Sequence, residues 1–136
     1  MALPNGGGGY QLGDGNLNEA TLGYQPAPAI YTANAGVVLT VAELEGGLVV
    51  YTQTNANNFQ LPLVAGVGGV DDVISSAKVG STFDFFFIST SSGVGTVTVN
   101  TGWTLVGSGA TPASGIGAHF RARLTSVGAW TVYRLA

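Results

Sequence analysis

The sequence predicts an all-β protein: an antiparallel β-sandwich or jelly roll carrying an extended N-terminal arm. Three observations predict it. Residues 30–136 divide into about eight short runs rich in Val, Ile, Thr and aromatic residues, separated by Gly, Asn and Ser turns. The clearest run, Ile116–Thr125, alternates strictly. Ile116, Ala118, Phe120, Ala122 and Leu124 share one face, and Gly117, His119, Arg121, Arg123 and Thr125 share the other. Residues 1–29 are rich in Gly, Asn and Pro with almost no hydrophobic pattern, so they cannot offset their own ordering entropy. The expected division is an arm over 1–29 and a β body over 30–136. A closed barrel is the alternative for the body. No internal repeat is read in the sequence.

Within the arm, Gly6–Gly9 reads as a hinge and Asp14-Gly15-Asn16 as a turn. Tyr10, Leu12, Leu17, Leu22 and Tyr24 are spaced irregularly, as anchors for separate pockets. Pro26 and Pro28 favour an extended exit. In the body, Val37–Leu39 is a short strand. Thr40 and Glu43 then have the spacing of a capping box, and Gly46-Gly47 stops the helix after little more than a turn. Leu48–Thr54 and Phe59–Leu63 are expected to form a hairpin around Asn55–Asn58, with Pro62 at an edge or strand end.

Residues 64–69 form a Gly-rich loop. Val70, Val73, Ile74 and Ala77 mark the stripe of a short helix, with Asp71 and Asp72 in its first turn. Lys78–Ser81 breaks it. Thr82–Thr90, with four phenylalanines, is the expected central strand. Thr96–Asn100 should turn through Thr101-Gly102 into Trp103–Val106, and Trp130–Leu135 should close the chain after Ile116–Thr125. The expected core rests on Phe83, Phe85, Phe87, Phe120, Trp103 and Trp130.

Composition excludes several functions. Charged residues are 8% of the 136, against roughly 25% in ordinary domains. So few charges favour a permanently assembled state. Net charge is −3 and only Lys78, Arg121, Arg123 and Arg134 are strong bases, too few for a nucleic-acid partner. The absence of cysteine excludes disulfides, thiolate metal sites and a Cys nucleophile, and suits folding in a reducing cytoplasm. The N-terminus has no basic or apolar leader region, and the longest strongly apolar stretch, Phe83–Ile88, is far short of a membrane span. Synthesis in the cytosol and no membrane partner are expected.

Candidate chemistry is sparse. His119 is the only histidine; Asp84 could partner it, but no serine lies in a G-x-S-x-G elbow. The position of His119 on the polar face of a strand favours a surface role. Asp14–Glu19 resembles the start of a calcium loop but has Glu19 where glycine is required and Gln25 where the bidentate Glu belongs. The glycine clusters lack the phosphate-loop spacing. Trp103, Trp130, Tyr51 and Tyr133 could stack on sugars, although tryptophans in so small a body are expected in the core. Arg121, Arg123 and Arg134, on the last two strands, are expected to form one cationic row able to meet acidic groups of a neighbouring subunit. No enzyme activity, metal or cofactor is expected.

The segments LTVAELEGGLVVYTQT, FQLPL, VGSTFDFFFISTSSGVGTVTV, GWTLVGSG and HFRARLTSVGAWTVYRL together resemble the decoration, or cement, proteins of tailed-bacteriophage capsids. The arm motif LGDGNLNEATLGYQ is similar to the arms of such proteins. The resemblance implies a small β-sandwich that oligomerises, as a homodimer or homotrimer, on the outer capsid surface. It implies clamping of neighbouring major capsid proteins, with Tyr10, Leu12, Leu17, Leu22 and Tyr24 of the arm as contacts. It carries no catalytic residues. The alternative is a tail-fibre or receptor-binding module that recognises host glycan through exposed aromatic residues.

Overall fold

The computed structural model describes residues 23–110 and 116–136. In chain order the elements are β1 (Ala29–Tyr31), β2 (Val37–Val38), α1 (Val41–Glu45), β3 (Leu48–Tyr51), β4 (Asn57–Gln60) and α2 (Val70–Val73). They continue with β5 (Thr82–Ser89), β6 (Gly95–Thr98), β7 (Trp103–Val106), β8 (Ile116–Ser126) and β9 (Ala129–Arg134). The fold is mostly β-sheet. A six-stranded sheet runs β1-β3-β5-β8-β9-β7, and a three-stranded sheet runs β2-β4-β6.

The strand order departs from an all-antiparallel arrangement. Among the described strand pairs only β5–β8 and β8–β9 run antiparallel. β1, β3 and β5 lie parallel in the large sheet, while β2, β4 and β6 lie parallel in the small one. The chain therefore crosses from the large sheet to the small one three times, through residues 32–36, 52–56 and 90–94. Each crossing is five residues long, which makes three stacked turns of one winding. The winding is an internal repeat, contrary to the expectation of none. The hairpins expected at Asn55–Asn58 and Thr101-Gly102 are likewise absent. The first is an arch between sheets, and the second carries the chain from β6 to β7, which pairs parallel with β9.

Side-chain amides explain why these arches stack. An arch has backbone groups that no ladder satisfies, and buried ones need partners. Asn34 Oδ1 in the first arch accepts from the Thr54 and Asn55 amides of the second, at 3.1 and 3.4 Å. Gln53, buried in the second arch, donates to Ala35 O at 3.2 Å and accepts from Asn57. The Gly93 amide of the third arch donates to Gln53 O at 3.3 Å. Thr52 and Thr90 close each turn by donating their amides to Tyr31 O and Tyr51 O, at 3.0 and 2.9 Å.

The two sheets meet through aromatic rings. Phe59 of β4 sits 5.6, 5.1 and 4.9 Å from Tyr31, Tyr51 and Phe87 of the large sheet, all edge-on or nearly so. Toward the other end of the large sheet, Phe85 stacks on Phe120 and Trp130 packs against Phe83 and Trp103. The expected core residues are buried, with Phe83 partly so.

The predicted capping box of α1 is present. Glu43 N–H donates to Thr40 Oγ1 at 3.2 Å, and Thr40 N–H donates to Glu43 Oε1 at 2.8 Å. Gly47, at φ +86°, takes the left-handed turn that ends the segment. α2 is shorter than its apolar stripe suggests, stopping at Val73. Its acidic residues serve other partners: Asp72 accepts from Gly68 N–H at 2.9 Å and Asp71 from the Trp130 indole at 3.0 Å. Pro62 lies just beyond β4, as expected, and its carbonyl accepts from the Trp103 indole at 2.7 Å.

Candidate interaction surface

Alternation along the large sheet sorts its residues into two faces. Tyr31, Val49, Tyr51, Phe85, Phe87, Ala118, Phe120, Ala122, Trp130 and Val132 point inward to the core. The intervening residues form the outer face, where cross-strand register arranges them in rows. Ile30, Val50, Ile88 and Gly117 make an apolar row. Leu48, Phe86 and His119 make an aromatic row. Asp84, Arg121, Tyr133 and Val106 make an ionic row. Thr82, Arg123, Thr131 and Thr104 make a polar row. The face thus grades from apolar to polar along the strand direction. Ile30 is 60% exposed, Phe86 45% and Val106 48%, in a region where strand alternation would ordinarily put polar side chains.

Asp84, Arg121 and His119 form one cluster on this face, with Arg123 in the next row. Arg121 donates to both Asp84 oxygens, from Nε at 2.7 Å and from Nη2 at 2.9 Å. His119 Nε2 lies 2.9 Å from Asp84 Oδ2, and its ring stacks on Phe86 at 4.2 Å. The Arg121 hydrogen bonds, helped by His119 and opposed by partial burial, pull Asp84 down to about 2. Asp84 in turn raises the Arg121 guanidinium above its ordinary value. The bidentate pair occupies the carboxylate, and among the described residues no hydroxyl bonds to the His119 ring. Among these residues the triad reading of His119 has no nucleophile at the ring.

A depressed carboxylate stabilises the fold wherever it is charged. Its contribution is complete above its unfolded value near 4 and is lost as pH falls through about 2. Urea denaturation of the wild type should therefore lose stability between these two pH values. In Asp84→Asn that component is expected to vanish, so the variant's curve should be flatter across the same window.

The three arginines do not form one row. Arg121 and Arg123 lie on the outer face, whereas Arg134 stands opposite Phe120 on the inner one. Its guanidinium lies 5.5 Å from the Phe120 ring and donates to the Ser108, Ala110 and Ala136 carbonyls at 3.1, 2.7 and 2.5 Å. Arg134 closes the core edge and fixes the segment after β7. Alternation would have separated it from the other two, because Phe120 pairs with it across the strands.

The aromatic platform does not exist as a platform. Trp130 and Tyr51 are fully buried and Trp103 nearly so, with both indoles donating to protein acceptors. Of that set only Tyr133 lies on the outer face. Phe86, the exposed aromatic there, was read only as part of a core strand. The signal for it was present, since Phe86 is out of phase with Phe83, Phe85 and Phe87.

Of the arm anchors, Tyr24 is 89% exposed. Tyr10, Leu12, Leu17 and Leu22 lie outside the described residues, as does the calcium-loop candidate Asp14–Glu19. Near the start of the described residues, Gln25 donates to Gly46 O at 2.6 Å. Beside it lies a shallow depression of about 560 Å³ lined by Pro26, Ala29, Glu43, Glu45 and Leu48 among others. Glu43 is already engaged by the capping box and by the Tyr31 hydroxyl. Burial, with Glu43 adding, raises the Tyr31 phenol above its ordinary value and keeps it a donor. Among the described residues no three His, Asp or Glu side chains converge as a metal site, and no helix is long and apolar enough to cross a membrane.

No protein-family model matches this chain, and no similar protein is found among curated proteins or solved structures.

Proposed function

We propose that this protein is a structural component of a tailed-bacteriophage virion. In this reading it is a decoration protein that binds the outside of the capsid as an oligomer and clamps neighbouring major capsid proteins. Its two ring-packed sheets serve as a compact sandwich, and the arm reaches between capsid subunits. The observation that carries the reading is the outer face of the large sheet. It exposes Ile30, Phe86 and Val106 around the Asp84–Arg121–His119 cluster, on a chain with only 8% charged residues. Such a surface suits many modest contacts repeated by symmetry. An arm that orders on binding meets its entropy cost only when docked, and can cover a large area. The working location is the outer capsid surface, after synthesis in the host cytoplasm, and no catalysis is assigned.

The test is co-sedimentation with capsids of the parent phage that lack this protein. The full chain should pellet with the capsids. A variant lacking residues 1–24 should keep the circular dichroism spectrum of the body and remain in the supernatant. Undiminished binding by that variant would remove the arm from the clamp. Failure of the full chain to bind would remove the capsid reading itself.

A further inference from the structure

The winding has an open end. Among the described residues β1 pairs only with β3, and β2 only with β4, so both sheets begin with an unpaired edge at the same end of the stack. Among the described residues the hydrogen bonds show which backbone groups β3 and β4 take and which they leave. Thr52 N–H donates to Tyr31 O, which turns the backbone groups of Tyr31, and by alternation Ala29, toward β3. Those of Ile30 and Thr32 then point to the open side. Leu39 N–H donates to Gln60 O at 2.8 Å, so Val38 likewise faces outward. Ile30 and Val38 are 60% and 56% exposed.

Soluble proteins ordinarily protect such an edge with lysine, an inward charge, a bulge or a covering element. Here no charged residue lies between Pro26 and Glu43. The β1–β3 and β2–β4 registers are also free of bulges.

We propose that this edge joins two copies of the chain, with β1 of one pairing antiparallel to β1 of the other about a two-fold axis at Ile30. The large sheet then runs continuously through both copies. The backbone pattern is self-complementary about that axis. Each Ile30 N–H meets the Ile30 carbonyl of the other copy, and each Thr32 N–H meets the other copy's Pro28 carbonyl. Pro28 has no N–H, and in this register it acts only as an acceptor. β1 itself carries no charged residue, so its own side chains bring no like charges together at the axis. An isologous contact of this kind closes at two copies. It does not depend on the capsid reading, because it is measured on the purified chain alone.

Sedimentation equilibrium of the full chain tests it. The wild type is expected at twice the chain mass. Ile30→Pro removes an N–H that points away from β3. It deletes one hydrogen bond from each side of the axis and should weaken the dimer by about 30-fold or more. Ile30→Lys leaves every backbone group in place and puts two like charges beside the axis, so it decides the matter if the proline variant does not fold. Because the chain has no cysteine, Ile30→Cys adds a direct check. Hydrogen-bonded antiparallel partners have Cα atoms about 5.5 Å apart, within disulfide reach. That variant should cross-link on oxidation, and Val127→Cys in the β8–β9 turn should not. A monomer, a trimer, an open polymer, or a dimer as tight in both Ile30→Pro and Ile30→Lys as in the wild type would overturn the proposal.

Discussion

Phe59→Ala is expected to cost about 3–5 kcal/mol of stability, read from the urea midpoint at an unchanged slope. Phe59 is fully buried in β4, the middle strand of the small sheet. Its ring is the contact that three aromatic rings of the large sheet share, at 4.9 to 5.6 Å. Truncation removes the transfer energy of a phenyl group and leaves a cavity between two layers. The layers cannot collapse readily, because the arches fix their separation. The lost edge-on ring contacts, about 0.5–1.5 kcal/mol for an ordinary pair, are part of that cost. A small domain has about 5–15 kcal/mol in all, so this one residue carries a large share. A loss below about 1 kcal/mol would mean that the sheets do not pack through this ring.

Gly93→Ala should lower the melting temperature by about 10 °C, from strain near 3 kcal/mol. A methyl there would fall 2.3 Å from Asn55 O and 2.6 Å from the Tyr51 hydroxyl. Both belong to the preceding turn of the winding. Asn55 O already accepts from the Tyr51 hydroxyl, and the Gly93 carbonyl accepts from Ser89 Oγ at 3.2 Å. The methyl must therefore part the second and third arches and break the bonds that stack them. Gly117→Ala is the matched control, since a methyl there meets neighbours at 3.6 Å, an ordinary contact, on the outer face. Equal melting of the two variants would contradict the close stacking of the arches.

Strand positions were largely legible because period-two alternation reports which face a residue takes, independent of pairing. The Phe83–Phe87 alternation and the β8 pattern both describe the inner face correctly, and the capping box of Thr40 and Glu43 was readable from spacing alone. Pairing was not legible. A run of Asn, Ala and Thr between two strands signals a turn, but a hairpin and an inter-sheet arch use the same residues. What separates them is where the arch's polar groups find partners, and those lie in other turns: Asn34 for Thr54, Ala35 for Gln53. The repeat did leave a trace in Tyr31-Thr32 followed by Asn34-Ala35, and Tyr51-Thr52 followed by Asn55-Ala56. It was hidden by unequal spacing, since Val37 aligns with Phe59 across the sheet although they follow Tyr31 and Tyr51 by six and eight residues. The third turn replaces tyrosine with Ser89.

The candidate surface was half legible. Arg121 and Arg123 were correctly placed on the polar face of β8, yet the partner of Arg121 is Asp84 on β5, thirty-seven residues away. Only strand pairing brings them together. Arg134 was grouped with them because it is close in sequence, and the β8–β9 register sends it to the opposite face.

A cryo-EM map of the parent virion tests the central claim most directly. As a decoration protein, this two-sheet fold is expected in density on the outer capsid surface, in symmetric sets, with residues 1–24 of each copy running between neighbouring capsid proteins. Density for the fold only at the tail or fibre tips, with bare capsid elsewhere, would contradict it and move the protein to host recognition.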